Sequence, residues 1–138
     1  MQQTATMSAK GTSKLATAPV QVTIPVTDAA RAEAFYTGTL GLKLTKSAPG
    51  GNIYECGDGT TVCVYPRATA SSGEHTVCAW RVTGIEQVVA ELKERGVQFE
   101  EYDSGDFKTS GSIATMGPMK AAWLRDPDGN ILGLIQGL

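Results

Sequence analysis

The chain repeats itself, and the repeat restricts its fold more than any other feature. VQVTIPVTDAARAEAFYTGTLGLKL runs from Val20 to Leu44, and HTVCAWRVTGIEQVVAELKERGVQF runs from His75 to Phe99. Each segment opens with an alternating strand, breaks at a polar residue, runs about three turns of helix and ends at a glycine followed by an apolar residue. In the second copy Thr83 and Glu86 have the spacing of a capping box. Ile85, Val88, Val89 and Leu92 then form one apolar stripe, and Gly96 suits the residue after the helix. In the first copy Asp28 is the expected N-cap, Phe35, Leu40 and Leu42 the buried side, and Gly41 the stop.

The repeat extends beyond the helices. LKLTKS, NIYECGDG and TTVCVYP follow the first, while VQFEEY, a long loop, KAAWLRDPDG and NILGLIQ follow the second. Both copies close through an Asp-Gly turn between strands, Asp58-Gly59 and Asp128-Gly129, a strong hairpin signal. Each unit therefore reads as β-α-β-β-β, and the fold class is α+β: two small sheets side by side, each with a helix on its outer face. The expected organisation is a disordered tail over residues 1–18 and one domain over 19–138. Within that domain module 1 covers 19–66, the linker RATASSGE covers 67–74 and module 2 covers 75–136.

Composition bounds the function classes. The net charge of −2 and scattered basic residues leave no footprint for nucleic acid or an anionic membrane. No stretch approaches the roughly 20 apolar residues that cross a bilayer. The three cysteines, Cys56, Cys63 and Cys78, are odd in number and lack CxxC spacing. That argues against a disulfide framework and fits a reducing, cytoplasmic setting. One histidine and no nucleophile elbow exclude an argued Ser-His-Asp arrangement.

The two-residue period of a strand assigns faces. Val22, Ile24 and Val26 point to the first helix; Gln21, Thr23 and Pro25 point away. Val62 and Val64 point inward, with Thr61, Cys63 and Tyr65 opposite. In module 2, Thr76, Cys78, Trp80 and Val82 are assigned to the helix side and Val77, Ala79 and Arg81 to the other. In the last strand Leu132 and Leu134 lie under the helix, while Ile131, Gly133 and Ile135 face away. The outward faces mix small, polar and aromatic residues, as a lined cleft does and as a solvated sheet face also does. Gly133 stands mid-strand, where a glycine marks a bulge or a close approach.

IPVTDAARAEAFYTGTLGLKL and RVTGIEQVVAELKERGVQF…WLRDPDGNILGLIQ resemble the vicinal oxygen chelate superfamily of glyoxalases, extradiol dioxygenases and bleomycin-binding resistance proteins. The resemblance covers about Val20 to Gln136 and implies two βαβββ modules whose mixed sheets curl around a cleft. It also implies a homodimer and, in the enzymes, a divalent metal held by His or Gln, Glu, His and Glu. Those positions fall here on Gln21, Cys63, Val77 and Gly133. One amide and one thiol do not make a magnesium, manganese or iron site. A zinc site from Gln21, Cys63 and His75 would need a register slip.

The expected function is therefore a metal-free small-molecule binder, such as one that sequesters a drug-like or aromatic metabolite, with no cofactor. The alternative is a metal-dependent lyase, isomerase or dioxygenase with a displaced site. The expected cleft residues are Gln21, Thr23, Tyr54, Cys63, Tyr65, Val77, Ala79, Arg81, Phe107, Met116, Trp123 and Gly133. Tyr54 and Trp123 have two readings, stacking on a ligand or ordinary sheet packing. So does the loop from Tyr102 to Lys120, which reads either as a binding lid or as a surface connection with GSIATM as a short strand.

Overall fold

A computed structural model describes residues 13–105 and 107–137, so most of the expected tail, residues 1–12, lies outside the described residues. Lys14–Thr17 forms a 3-10 turn capped by the Ser13 hydroxyl. Module 1 then runs β1 (Gln21–Val26), α1 (Ala29–Glu33), β2 (Lys43–Ala48), β3 (Gly51–Glu55) and β4 (Thr61–Pro66). Its sheet order is β1-β4-β3-β2, with β1 parallel to β4 and the other pairs antiparallel.

Asp28 caps α1 as expected, its Oδ1 accepting the Arg31 amide at 3.0 Å. The helix then widens into a π-turn over Ala34–Thr39 and ends at Gly41, φ +71°. Its deepest residues are Ala32 and Tyr36; Phe35, Leu40 and Leu42 pack against the core but stay partly open.

Module 2 opens with β5 (Thr76–Arg81) and α2 (Ile85–Glu94). The expected capping box does not form. Gly84 adopts φ +70° ahead of the helix, and the Gln136 side chain accepts the Ile85 amide at 2.7 Å. Glu86 instead reaches Lys120 at 2.6 Å. A positive φ suits glycine, and the long-range cap ties α2 to the last strand, so tertiary structure replaces the local signal. The apolar stripe behaves as expected, with Ile85, Val89 and Leu92 buried.

The largest departure from the repeat follows α2. VQFEEY is not a strand; it meets the sheet through a Phe99–Leu124 bridge and the Glu100 amide, which donates to the Trp123 carbonyl at 2.8 Å. The stretch expected as a long loop is a meander: β6 (Asp103–Ser104), β7 (Phe107–Ser110) and β8 (Ile113–Met116), leading into β9 (Met119–Arg125) and β10 (Ile131–Gln136). The second sheet is therefore six-stranded, β5-β10-β9-β8-β7-β6.

A buried polar clamp joins the modules through the RDPDGN turn. Asp126 is 4% exposed and accepts the Tyr36 hydroxyl (2.7 Å), the Asp128 and Asn130 amides (2.9 and 2.8 Å) and the Asn130 side chain (2.8 Å). Asn130 also donates to the Pro25 carbonyl, and Asp128 accepts the Thr27 amide and hydroxyl and pairs with Arg31. Burial, and then the neighbouring Asp126 carboxylate, push the Tyr36 hydroxyl far above the ordinary tyrosine range, which keeps it a donor. Burial would raise Asp128, but the Thr27 hydrogen bonds and Arg31 outweigh it and hold its carboxyl below the ordinary range. A satisfied network of this kind fixes how β1 and the β9–β10 turn sit together.

Candidate functional site

Cross-strand pairing shows which side chains share the open faces, because directly paired residues project from the same side of a sheet. In module 1 the central row is Thr23–Cys63–Ile53 across β1, β4 and β3. Gln21 and Thr61 pair in the row before it, with the Thr61 hydroxyl donating to Gln21 Oε1 at 3.2 Å, and Pro25 and Tyr65 pair in the row after. Gln21, Thr23, Cys63 and Tyr65 thus share one face.

Tyr54 does not join them. It pairs with Val62, a helix-side residue, and is 0% exposed. Its hydroxyl meets Thr37 Oγ1 at 2.9 Å and its ring lies 6.1 Å from Tyr36. The pairing phase of β3 makes Tyr54 a core residue and gives its expected place on the face to Ile53.

In module 2 the corresponding row is Ala79–Gly133–Trp123 across β5, β10 and β9. A β-bulge precedes it: Ile131 pairs with Thr76 and Leu132 with Cys78, so Val77 is the extra residue. The bulge brings Thr76 to the Gly133 side, its Cγ2 3.4 Å from where a Gly133 Cβ would stand, and Val77 packs against the core. Both residues thus exchange the sides expected from simple alternation. Trp80 meets expectation by packing on the core, its indole N–H directed at Cys56 Sγ at 3.5 Å.

Gly133 is buried although its row faces outward. Trp123 Cδ1 lies 3.5 Å and Ala79 Cβ 3.6 Å from a would-be Cβ, so the indole lies over the glycine. The strand conformation is one that other residues adopt, and the bulge lies at Val77, so Gly133 makes room for the ring rather than for a kink. Two more rings complete a wall: Phe107 at 5.3 Å and Tyr102 at 5.7 Å from Trp123, and 5.1 Å from each other. Beside this wall is an open cavity of about 280 Å³, lined also by Glu74, His75, Thr76 and Ile131. His75 is exposed and packs on Gly73.

Polar contacts hold the wall in place. Glu101 accepts the hydroxyls of Thr109 and, through a short bond, Ser112; Thr109 Oγ1 accepts the Tyr102 amide at 2.9 Å. The Ser112 hydrogen bond first, then that of Thr109, hold the Glu101 carboxyl below its ordinary range. Sequence reasoning placed Phe107 and Trp123 here but missed Tyr102, Glu74, Thr76 and Ile131. The turn residues Asp103-Ser104-Gly105 were the available signal that Tyr102 and Phe107 lie on one hairpin.

The remaining expected residues lie elsewhere. Met116 sits beside the β8–β9 turn, paired with Met119 and 37% exposed, and does not line the cavity. Arg81 lines a crevice of about 660 Å³ with Asp58, Gly84, Glu86 and Gln136, a polar opening that lacks aromatic walls. An apolar groove of about 240 Å³ opens on the helix side among Leu40, Leu42, Trp80 and Val88.

The residues do not fit the family's divalent centre. Val77 packs into the core, and Gly133 offers no donor and is covered by an indole. Two of the four implied positions therefore contribute nothing, leaving Gln21 and Cys63. His75 lines the module 2 cavity, whose lining includes neither Gln21 nor Cys63. Among the described residues no three of His, Cys, Asp and Glu converge as a metal-binding group.

No curated protein sequence matches the chain. Solved structures do. A glyoxalase/bleomycin resistance protein/dioxygenase from Alicyclobacillus acidocaldarius superposes with a TM-score of 0.66 at 18% identity, over 88% of this chain and 92% of that one. A putative glyoxalase family protein from Bacillus anthracis gives 0.64 at 20% identity, over 86% and 92%. A lactoylglutathione lyase from Agrobacterium tumefaciens gives 0.62 at 19% identity, over 88% and 94%. At these identities the likeness is one of fold. The family model described as Glyoxalase/Bleomycin resistance protein/Dioxygenase superfamily matches residues 18–134, nearly the whole described domain. The chain belongs to that superfamily.

Proposed function

We propose that this chain is a binding protein of the superfamily that takes a small planar ligand against the aromatic wall of module 2 and uses no divalent metal there. The observation that carries the reading is the Ala79–Gly133–Trp123 row. The sequence resemblance places a metal-binding carboxylate at Gly133, and here an indole lies over that position instead. A concave site with aromatic walls and a few polar groups in its lining suits a small ring system. Two copies pair in this reading, and the free Cys56, Cys63 and Cys78 suit a reducing compartment. Among the described residues no helix is long and apolar enough to cross a membrane.

The test is native mass spectrometry with elemental analysis on protein purified without chelator. The expected result is a retained or exchangeable small molecule, lost in Trp123→Ala, and no stoichiometric metal. Stoichiometric zinc, manganese, nickel or iron that is lost on Gln21→Ala or His75→Ala would replace this reading with the metal-dependent one.

A further inference from the structure

We propose that the ligand class of this cavity is the arylalkylamine, a planar ring with a protonated amine on a short aliphatic chain; this rests on reading the cavity as the binding site. The rings of Tyr102, Phe107 and Trp123 touch one another, with centroids 5.1–5.7 Å apart. They leave no space for a cation between them and act as one wall, against which a cation seated on a ring face gains from the π system.

The rest of the lining contributes a carboxylate. Glu74 lines the cavity and is 79% exposed. Its cationic partner is Arg125, whose Nη2 lies 3.5 Å away. That guanidinium is shared: Nε pairs with Glu100 at 3.2 Å, and Nη1 donates to the Gly129 carbonyl at 3.2 Å. Two carboxylates thus divide one positive charge. Nearby, Glu101 and Asp103 are balanced by Lys93 and Lys108, so Glu74 supplies the charge that faces the cavity.

A neutral ring gains only the aromatic contact, and an anion meets repulsion from Glu74. A protonated amine gains from the ring faces and from Glu74 together.

The experiment uses three probes with one ring and one reach: 2-phenylethylamine, 2-phenylethanol and phenylacetate. Each is titrated at low salt and pH 8, above the ordinary histidine range. Binding is followed at the Trp123 indole N–H resonance, assigned by its absence in Trp123→Phe.

The amine is expected to bind about tenfold more tightly than phenylacetate, with the alcohol between them. Glu74→Gln should cut the amine-to-phenylacetate ratio roughly threefold, and 0.5 M NaCl should narrow the ratio in the wild type. Phenylacetate binding as tightly as the amine, or a ratio that ignores Glu74→Gln, overturns the proposal. If the alcohol binds and charge makes no difference, the amine inference fails and the cavity remains the binding site. If none of the three shifts the resonance, both fail.

Discussion

The two modules place different side chains on the same three-strand row. In module 1 it is Thr23–Cys63–Ile53, three residues of middling size on a face that stays partly open. In module 2 it is Ala79–Gly133–Trp123, with the bulk concentrated in one indole lying over a glycine. The meander then adds Tyr102 and Phe107, for which module 1 has no counterpart. A repeat keeps its scaffold because strand pairing and core burial demand it. The outward face carries no such demand, so there the two copies have specialised, one as an ordinary sheet surface and the other as an aromatic wall.

The largest expected effect comes from cutting the link between the modules. Asp126→Ala leaves the Tyr36 hydroxyl, the Asn130 side chain and two amides without their acceptor, and should cost about 3 kcal/mol or more in urea unfolding. Loss of the Trp123 environment alongside would show that the module 2 face depends on its anchorage to module 1. An Asp126→Ala protein as stable as wild type would show that the two faces are independent.

Next in size is Trp123→Ala. A buried tryptophan costs about 3–5 kcal/mol when truncated, and Trp123 is only partly buried, so about 2–3 kcal/mol is expected. The matched change in module 1, Ile53→Ala, should cost less than half as much, about 1 kcal/mol, because Ile53 is smaller and likewise only partly buried. Equal losses in chemical denaturation would erase the contrast between the rows.

A smaller effect is pH-dependent. The Glu101 carboxyl is held below its ordinary value in the folded chain, so its hydrogen bonds to Ser112 and Thr109 contribute fully above the unfolded glutamate pKa of about 4.3. That contribution disappears as pH falls through the lowered folded value. Tyr102 and Phe107 should therefore loosen from Trp123 in acid before module 1 responds. Near-ultraviolet circular dichroism from pH 6 to pH 3 reads this, and Glu101→Gln should flatten the early part of the profile.

The smallest effect separates the two explanations of Gly133. A methyl group there meets its neighbours at 3.4–3.6 Å, ordinary contact distances, so Gly133→Ala should change stability by less than about 1 kcal/mol, helped by a less flexible unfolded chain. Gly133→Cys, which copies Cys63, should push the indole outward and weaken binding while the fold persists. A Gly133→Ala chain that fails to fold would mean that the backbone at this point is strained.

These contrasts also show what was legible in the sequence. The repeat, the Asp28 cap, the α2 stripe and the shared face of Gln21, Thr23, Cys63 and Tyr65 follow from local periodicity, which the core enforces. Tyr54 was half legible: both stacking and packing were open to it, and only the pairing of β3 with β4 chose packing. Thr76 and Val77 were not legible, because one bulge shifts the alternation by a residue. The capping box failed because Gln136, fifty-one residues from Ile85 along the chain, took over the cap. The aromatic wall was only partly visible, since Tyr102 becomes its neighbour through a hairpin between strands too short to leave a period.

In the proposed function, ligand binds at the module 2 row and not at its module 1 counterpart. The direct measurement is an amide and indole chemical-shift map of the isotopically labelled chain titrated with 2-phenylethylamine. The expected shifts centre on Thr76, Ala79, Tyr102, Phe107 and Trp123, with Thr23, Ile53 and Cys63 unmoved. Shifts centred on Thr23, Ile53 and Cys63, or on Leu42 and Val88 in the helix-side groove, would contradict it.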